Sequence, residues 1–598
     1  MPSERLSASE GIFSKKKVKN MLNRIISKIF LNRKIQYLLL ITFLFSSFPI
    51  YGTLLRVAAD GSQDYTSIQT AINETVNGDT VLVYPGTYYE NLDFLGKSIT
   101  LGSLTLTNND QSYINQTVID GNQNGTCITV ENSDEFTVYG FLIQNGFNEE
   151  SGGGINCINS NGIISSCNIS NNISEHIGGG IYFYLSTCLI KKTTIKSNIS
   201  YAFGGGIFNR HSSISLTANS IKYNRAFLRG GGYAFFGDSC ETSFDTQNLN
   251  SIYCNYSAIG SDIWKGTYTP NNIEVIVDTF TVDNPSFYYM VNAETGINDL
   301  IFSNQHSYYE QINQDLYVSA DGDDNNSGLS PHTSLKSLHK ALMQIKADSL
   351  NPLTIHLADG IYSHSSGQLL PLQMKEYVSL IGESKENTII DCEYQTPAII
   401  TKHGHHNNSL ENMTITGTAE IGGSGYDGIS ISNPSLYENT SFEMKNIDYS
   451  DNDFGIHLRH LDATLSNNNF SNNQTRVICA TRQTMPNMIN LNILKNSVLN
   501  SNIGCAVIIT VGDQDSTHTT NVKIINNNIT DNFFGETDWD NIAAGIGFCV
   551  KNSNINILNS TIADNSVTTA HGGGISIKNS YNNSFYIRNS ILHGNSPS

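Results

Sequence analysis

A cluster of acidic, basic and imidazole side chains around residue 455 has the residue types that perform acid–base chemistry. In Gly455-Ile-His-Leu-Arg459, alternation along a strand would point Ile456 and Leu458 inward and leave His457 and Arg459 on the outer face. Abstraction of a proton next to a carboxylate needs an acid, a base and a cation close together, and this segment supplies all three. The candidate catalytic residues are Asp451, Asp453, His457 and Arg459, with Asp448, His460, Arg476 and Arg482 nearby in sequence. A solvated strand face has the same pattern, so a surface without chemistry is the alternative.

Two other segments have residue types found in metal sites. Asp321, Asp323 and Asn325 present oxygen ligands at alternate positions of an acidic loop, as calcium prefers. The loop lacks the glycine and the final glutamate of an EF-hand, so a plain turn is the alternative to a calcium site. Lys402-His403-Gly-His405-His406 is dense enough in imidazole to bind a metal, although neighbouring histidines on a loop rarely share one ion. Calcium is therefore the one cofactor that the sequence suggests.

An internal repeat defines the elements that would position these residues. The string Gly-Gly-Gly followed by Ile or Tyr begins at Gly152, Gly178, Gly204 and Gly230, with a spacing of 26 residues each time. Two further columns keep this register: Ile143, Ile169, Ile195 and Ile221, and Asn172, Asn198, Asn224 and Asn250. The motif I-x-x-N followed by GGG-I returns at Ile562–Ile575.

The composition of this repeat favours strands and turns over helices. Its segments are rich in Gly, Asn, Ser, Thr and Ile, with short apolar bursts between turn residues. This is typical of one coil of a parallel β-solenoid, in which successive coils stack at strand spacing, about 4.8 Å. We expect the Ile columns to form interior stacks, the Asn columns to form hydrogen-bonded ladders, and the glycines to form tight corners.

Two segments have the pattern of caps that cover the exposed end of a solenoid. Helically spaced apolar residues predict one short helix in each: Ile68, Ala71, Ile72 and Val76 in the first, and Leu335, Leu338, Leu342 and Ile345 in the second. The predicted fold is all-β, with two right-handed parallel β-helices that each have an N-terminal capping helix. The predicted boundaries are 1–52 for a signal peptide (mature start near 53), 53–265 for the first β-helix, 266–313 for a connecting β-rich segment and 314–598 for the second. No closing helix precedes Ser598, which suggests a truncated chain or a partner at that end.

The N-terminal region and the charge bear on location and partners. Basic residues between Lys15 and Lys34 precede the apolar run Tyr37–Ile50 and then Gly52, which is the order of a secretory signal peptide. The run is short for a membrane span, which needs about 20 residues, so a buried helix or membrane anchor is the alternative. Without residues 1–52, which hold nine basic and two acidic residues, 25 basic and 51 acidic residues remain, a net charge of −26. This disfavours a nucleic-acid partner. We expect a secreted or cell-surface protein, at a bacterial outer membrane or outside the cell, with no transmembrane span in the mature chain.

Several motifs resemble known β-helix families. Val57-Ala-Ala-Asp60-Gly61-Ser62, with Pro85-Gly86 and Glu90, resembles the opening of pectin methylesterases and related pectin-lyase-like proteins. Asp321–Gly328, with Pro371-Leu372 and Leu380-Ile381-Gly382, resembles a domain of unknown function that opens many bacterial secreted β-helix proteins. The GGG-I and I-x-x-N repeats are similar to those of polymorphic outer-membrane proteins. The resemblance implies a right-handed parallel β-helix of the pectin-lyase-like superfamily.

The same resemblance says less about activity. The Asp-Phe-Ile-Phe-Gly strand of pectin methylesterases and the W-I-D-H-like calcium strand of pectate lyases do not occur here. We therefore favour a secreted or surface β-helix repeat protein with a binding, adhesin-like or structural role that contacts a polysaccharide or surface glycan. The alternative is a polysaccharide lyase or esterase of the pectin-lyase-like class.

Overall fold

Short strands and tight turns make up most of the structure, because Ile, Val and Thr alternate with polar residues between Gly and Asn turns. The structure is a computed structural model, and it describes residue 20 and residues 52–267, 273–292, 300–402, 407–420, 427–432, 440–459, 461–475, 477–481, 490–499, 506–511, 520–534, 544–567, 572–577 and 582–597. Strands within these ranges pair in parallel with the equivalent strand of the next coil. The expected all-β parallel β-helix is confirmed.

Four sheets, A to D, form the first group of strands. Sheet A contains Leu54–Val57, Thr80–Val83, Thr100–Ser103, Phe136–Tyr139, Asn161–Ser165, Thr187–Lys191, Ser213–Thr217 and Glu241–Phe244. Sheet B contains Gly86–Tyr89, Thr117–Asp120, Leu142–Gln144, Asn168–Ser170, Thr194–Lys196, Ser220–Lys222, Asn250–Tyr253, Ile273–Phe280 and Leu300–Ser307. Sheet C contains Leu92–Asp93, Ile128–Glu131, Ile155–Ile158, Ile181–Tyr184, Ile207–Arg210, Tyr233–Phe236, Ile263–Lys265 and Met290–Asn292. Sheet D contains Phe147–Asn148, Ile173–Ser174, Ile199–Ser200 and Arg225–Ala226.

Three sheets, E to G, form the second group. Sheet E contains Leu316–Val318, Leu353–Leu357, Gly360–Ser363, Val378–Gly382, Thr388–Asp391, Asn407–Thr416, Ser441–Ser450, Asp462–Ser466, Asn469–Ser471, Asn490–Leu494, Ser497–Leu499, Thr520–Ile525, Asn528–Thr530, Ser553–Leu558, Thr561–Ala563, Ser584–Arg588 and Ile591–His593. Sheet F contains Ile399–Lys402, Ile429–Ser432, Ile456–Arg459, Ile478–Thr481, Val507–Val511, Ile546–Val550 and Ile575–Ile577. Sheet G contains Phe533–Phe534, Ser566–Val567 and Ser596–Pro597.

The 26-residue period is the strand register of the first group. Ile143, Ile169, Ile195 and Ile221 pair in that order across sheet B, and all four are fully buried. The first glycine of each of the four GGG strings in this group has a positive φ, as at Gly178 (φ 66°), which confirms the tight corner there. The repeat therefore gives each coil the same interior.

The Asn ladder is confirmed for three of its four predicted members. Asn172 Nδ2 donates to Asn198 Oδ1 at 2.9 Å, and Asn198 Nδ2 donates to Asn224 Oδ1 at 3.0 Å. The prediction was wrong for Asn250, because Asn224 Nδ2 donates instead to Asn255, 31 residues later. The last coil is longer than its predecessors, and this moves Asn250 into a different ladder.

Four short α-helices and one 3-10 turn accompany the strands of the described residues: α1 (Ile68–Glu74), α2 (Thr105–Asn108), α3 (Ser112–Gln116), a 3-10 turn (Pro331–Thr333) and α4 (Leu338–Gln344). Glu90 accepts hydrogen bonds from the first amides of α1, and Asp324 does the same just before α4. Val76 was predicted on the buried face of α1, but it is 60% exposed because the helix ends at Glu74. In the part of the chain described here, no helix has the length and apolarity needed to cross a membrane.

The two groups of strands belong to one compact unit, Leu54–Ser598. Strands Ile273–Phe280 and Leu300–Ser307 lie in the predicted connecting segment, and they pair with the end of sheet B. At the junction, Tyr256 OH donates to Pro371 O at 2.8 Å and Lys375 Nζ donates to Tyr289 OH at 2.9 Å. The predicted leader, 1–52, lies outside the described residues apart from residues 20 and 52.

Candidate functional site

Sheet F positions the best acid–base candidates from the sequence. Ile456 and Leu458 are fully buried and His457 and Arg459 lie on the outer face, as the alternation predicts. Ser432 and Thr481 are the register partners of Arg459 on the two neighbouring strands. The outer face of sheet F therefore carries a row of two hydroxyl groups with a guanidinium between them.

His457 is held between two residues that sequence reasoning missed. Its Nδ1 lies 3.0 Å from Asp427 Oδ2, and its Nε2 lies 2.7 Å from Thr481 Oγ1. In the tautomer with the proton on Nδ1, this nitrogen donates to Asp427 Oδ2 and Nε2 accepts from the Thr481 hydroxyl. The side chains of His457 and Asp427 are 16% and 13% exposed. This Asp–His–Thr arrangement orients a base against a hydroxyl group, which is how a nucleophile is activated.

The aspartates expected beside His457 occupy other places. Asp448 lies on sheet E, where Asn469 Nδ2 donates to its carboxylate at 3.3 Å. Asp451 and Asp453 lie in the turn that leads to sheet F, and the Asp451 carboxylate accepts from Asn472 at 3.2 Å. Within the described ranges, neither residue has a hydrogen bond to His457, whose acid partner is Asp427. His460, Arg476 and Arg482 lie outside those ranges.

The acidic loop at Asp321 is engaged in local structure. Asp323 Oδ1 accepts from the backbone N and the Nδ2 of Asn325, each at 2.9 Å. Asp324 accepts from the backbone of Ser337 at 2.9 Å ahead of α4, and Asp321 N donates to Ser319 Oγ. These contacts are those of a turn that supports a helix, and calcium at Asp321, Asp323 and Asn325 stays a prediction. The described residues contain no group of three metal-ligating side chains, and His403, His405 and His406 lie outside them.

A second surface, which we call the aromatic row, lies at the C-terminal ends of three neighbouring strands of sheet C. Tyr184, Arg210 and Phe236 are register partners on successive strands. The Arg210 guanidinium lies 5.5 Å from the centre of the Tyr184 ring, and Arg210 is exposed. His211 lies 6.3 Å from the Tyr184 ring and 6.4 Å from the Phe236 ring, and its Nδ1 is 3.0 Å from Asp238 Oδ1.

A cluster of buried aromatic side chains packs against Tyr184 and Phe236 of the aromatic row. Tyr182 and Phe208 stack on the outer face of sheet C with ring centres 6.0 Å apart, and both are buried. Phe203 stacks on Trp264 at 5.5 Å, and the Arg229 guanidinium lies 5.1 Å from each of these rings. This packing fixes the rings of the row, so binding there would cost little side-chain entropy.

Comparison with known proteins adds the following. Residues 320–553 match a family model described as a protein of unknown function, DUF1565. No curated protein matches the sequence. Among solved structures, the chain is similar to a point mutant of the PL6 family alginate lyase AlyGC, with 9% identity, a TM-score of 0.22 and coverage of 90% of this chain and 98% of that chain. The unsubstituted AlyGC structure gives 10% identity and a TM-score of 0.18, with coverage of 91% of this chain and 100% of that chain. The predicted parallel β-helix is confirmed by the parallel pairing of strands between successive coils, and the family match covers residues 320–553 of it.

Proposed function

We propose that this β-helix protein binds a polysaccharide or surface glycan along the aromatic row. The observation that carries the proposal is the alignment of Tyr184, Arg210 and Phe236 at the same position of three successive strands, with the exposed Arg210 guanidinium beside the Tyr184 ring. Aromatic and arginine side chains dominate binding surfaces because they combine a large apolar face with directed hydrogen bonds.

The geometry of the row fits a linear polymer. Successive strands are about 4.8 Å apart, so a chain lying along the solenoid axis would meet one side chain per coil. The apolar face of a sugar ring would pack on Tyr184 or Phe236. The five N–H donors of Arg210 would then bind hydroxyl or carboxylate oxygens.

The experiment is a glycan array with the full chain, followed by calorimetry with the oligosaccharide that binds. We expect Tyr184→Ala and Arg210→Gln each to weaken binding about tenfold or more, as for truncation of an anchor residue. Tyr89→Ala is the matched control, because Tyr89 is 69% exposed on sheet B, away from the row. Binding that is equally weakened by Tyr89→Ala, or the absence of any bound glycan, would contradict the proposal.

We further propose that the protein acts at the cell surface or after secretion, in an adhesin-like role. The signal-peptide pattern of residues 1–52 supports secretion, and the regular stack of β-helix coils supports an adhesin-like role. We also propose that the two groups of strands are separate β-helices, with α1 and α4 as their caps. In support, Ile68, Ala71 and Ile72 of α1 are fully buried against the first coils.

A polysaccharide lyase or esterase is the second candidate, favoured by the hydrogen-bonded series Asp427–His457–Thr481. An esterase would use the Thr481 hydroxyl as nucleophile, whereas a lyase would use His457 as base and Arg459 to neutralise a uronate carboxylate. Release of alcohol or acetate from esterified pectin, and ultraviolet absorbance of unsaturated uronate, separate the two reactions. His457→Ala should abolish whichever activity is present. Thr481→Val should abolish esterase activity but leave lyase activity.

Thr464→Val is the control for these variants, because Thr464 lies on sheet E and accepts from Asn492 Nδ2 there. If neither reaction is detected with the unsubstituted chain, the enzyme candidate is wrong.

A further inference from the structure

A cavity of about 410 Å³ lies between the last coils of the first group and helix α4 of the second. Its lining includes Arg225, Tyr256, Tyr309, His339 and Tyr223, the last of which is 47% exposed. Ligand sites commonly have volumes of about 300–1,000 Å³ and combine apolar walls with a few polar groups. The size and the mixed lining are therefore those of a small-molecule site.

Arg225 interrupts an apolar column to reach this cavity. In sheet D its register partners in the preceding coils are Ile199, Ile173 and Phe147, in that order. Arg225 therefore places a charged side chain at a position that is apolar in the three preceding coils. This break in the repeat lies beside the second group of strands.

The positive charge of the buried Arg225 guanidinium has no negatively charged partner among the described residues. Its Nη2 donates to Leu370 O, and its plane lies 4.0 Å from the centre of the Phe227 ring. Its Nε is closed off from solvent without a hydrogen-bond partner, and no carboxylate of the described residues forms an ion pair with it. Burial lowers the pKa of Arg225 to about 10, so the group remains charged at neutral pH. A buried cation without an anion is costly, and a bound anion would offset that cost.

His339 adds a second unused polar group to the same cavity. Its Nδ1 is buried without a partner, and its ring lies 5.8 Å from the Tyr256 ring. Burial lowers the pKa of His339 to about 4, so the ring is neutral at neutral pH and can donate one N–H.

Asp324, the carboxylate that acts electrostatically on His339, is already engaged in hydrogen bonds. Asp324 accepts from Ser337 Oγ at 2.6 Å and from the backbone of Lys336 and Ser337. Lys340 adds a further positive charge, since its Nζ lies 5.6 Å from the centre of the Tyr309 ring. The electrostatic field in the cavity therefore favours an anion.

We infer that this junction cavity binds a small organic anion, one whose carboxylate or phosphate group lies against the Arg225 guanidinium and the His339 ring that line it. The tyrosine rings at its wall would pack against the ring of such a ligand, so a sugar acid or a sugar phosphate has the right chemistry. Because the site contacts both groups of strands, the bound ligand would also hold them together. This inference is independent of the aromatic row.

The test is calorimetry of the full chain with glucuronate, with glucose 6-phosphate and with glucose as the matched neutral sugar. We expect one of the two anions to bind and glucose to bind at least tenfold more weakly. Arg225→Gln should weaken the binding of that anion about 10- to 100-fold, and His339→Leu about 2- to 10-fold, as expected for charged and neutral hydrogen bonds. The relative affinity for glucuronate and the phosphate ester identifies which anionic group the site takes.

Arg588→Gln is the matched control, because Arg588 is an exposed arginine on sheet E, outside the cavity and the aromatic row, and the change should leave anion binding unchanged. The inference is wrong if neither anion binds, if glucose binds as tightly, or if both cavity variants keep full affinity. Circular dichroism of each variant verifies the fold, and His339→Leu still decides the outcome if Arg225→Gln does not fold. If the unsubstituted chain binds the anion but no glycan, the proposed function is wrong and this inference still holds.

Discussion

Removing one amide from the middle of the Asn ladder is the sharpest test of what stabilises the coils. Asn198 is fully buried, and its Oδ1 accepts from the backbone N and the Nδ2 of Asn172 at 3.0 and 2.9 Å. Its Nδ2 donates to Ile169 O at 2.9 Å and to Asn224 Oδ1 at 3.0 Å. The substitution Asn198→Ala removes these four hydrogen bonds. It leaves two donor hydrogens of Asn172 without an acceptor, the backbone N–H and one Nδ2 hydrogen, while Nδ2 still donates to Ile143 O at 3.2 Å.

The expected loss follows from those two donors. A buried donor without a partner costs about 1–3 kcal/mol, so two cost about 2–6 kcal/mol. We therefore expect Asn198→Ala to lower the local free energy of unfolding by about 4 kcal/mol. Because each coil contacts only its neighbours, the effect should be concentrated in the coils on either side.

Amide hydrogen exchange read by mass spectrometry measures this loss coil by coil, and urea unfolding followed by circular dichroism measures the global effect. Asn161→Ala is the matched control: Asn161 is exposed at the start of a strand, and its backbone N–H to Ser133 O is retained. The control should change stability by less than about 0.5 kcal/mol. Equal losses for the two variants would refute the view that the buried ladder stabilises the coils.

Three further predictions concern packing, protonation and thiol reactivity. Gly179→Ala should prevent folding to a soluble protein, because its Cβ would lie 2.3 Å from a backbone carbonyl oxygen; Gly86→Ala, which meets only ordinary contacts at 3.4 Å, should express normally. Burial raises the pKa of Asp262 from 3.8 to about 7, so the stability that its proton confers is full below about pH 4 and is lost as the pH rises to about 7. Urea unfolding of Asp262→Asn should lack this part of the pH dependence, and an unchanged pH profile would contradict the assignment. Burial raises the pKa of the Cys127 and Cys157 thiols to about 12, so a thiol reagent at neutral pH should label them only after unfolding; rapid labelling of the folded chain would exclude this burial.

The fold could be predicted because the same residue types recur at the same position of successive coils. Ile169 and Ile195 must stack when their coils stack, so one spacing predicts many contacts. The prediction failed for Asn250 because one coil has five additional residues. In that coil the ladder partners are 31 residues apart instead of 26, so Asn224 bonds to Asn255 and Asn250 bonds to Asn219. The prediction for Val76 failed for a local reason, since α1 ends at Glu74, two residues before Val76.

The candidate site could be predicted only in part. Strand alternation placed His457 and Arg459 on one outer face, but the partners of His457 come from other coils. Arg459 pairs with Thr481, 22 residues later, whereas Ser432 pairs with Arg459 after 27. Since coil length varies in the second group, no single period could have brought Asp427 and Thr481 beside His457.

A regular solenoid repeats the same surface on every coil, so a specific site must lie where the repeat departs from its own pattern. The charged Arg225 in the column of Ile173 and Ile199 is such a departure, and so is the aromatic row with Arg210 between two rings. Ladders and glycine corners account for stability and would be present in any member of this architecture. The positions that break a column without a structural reason are therefore those at which binding or chemistry should be sought, and comparing each coil with its neighbours finds them without reference to any relative.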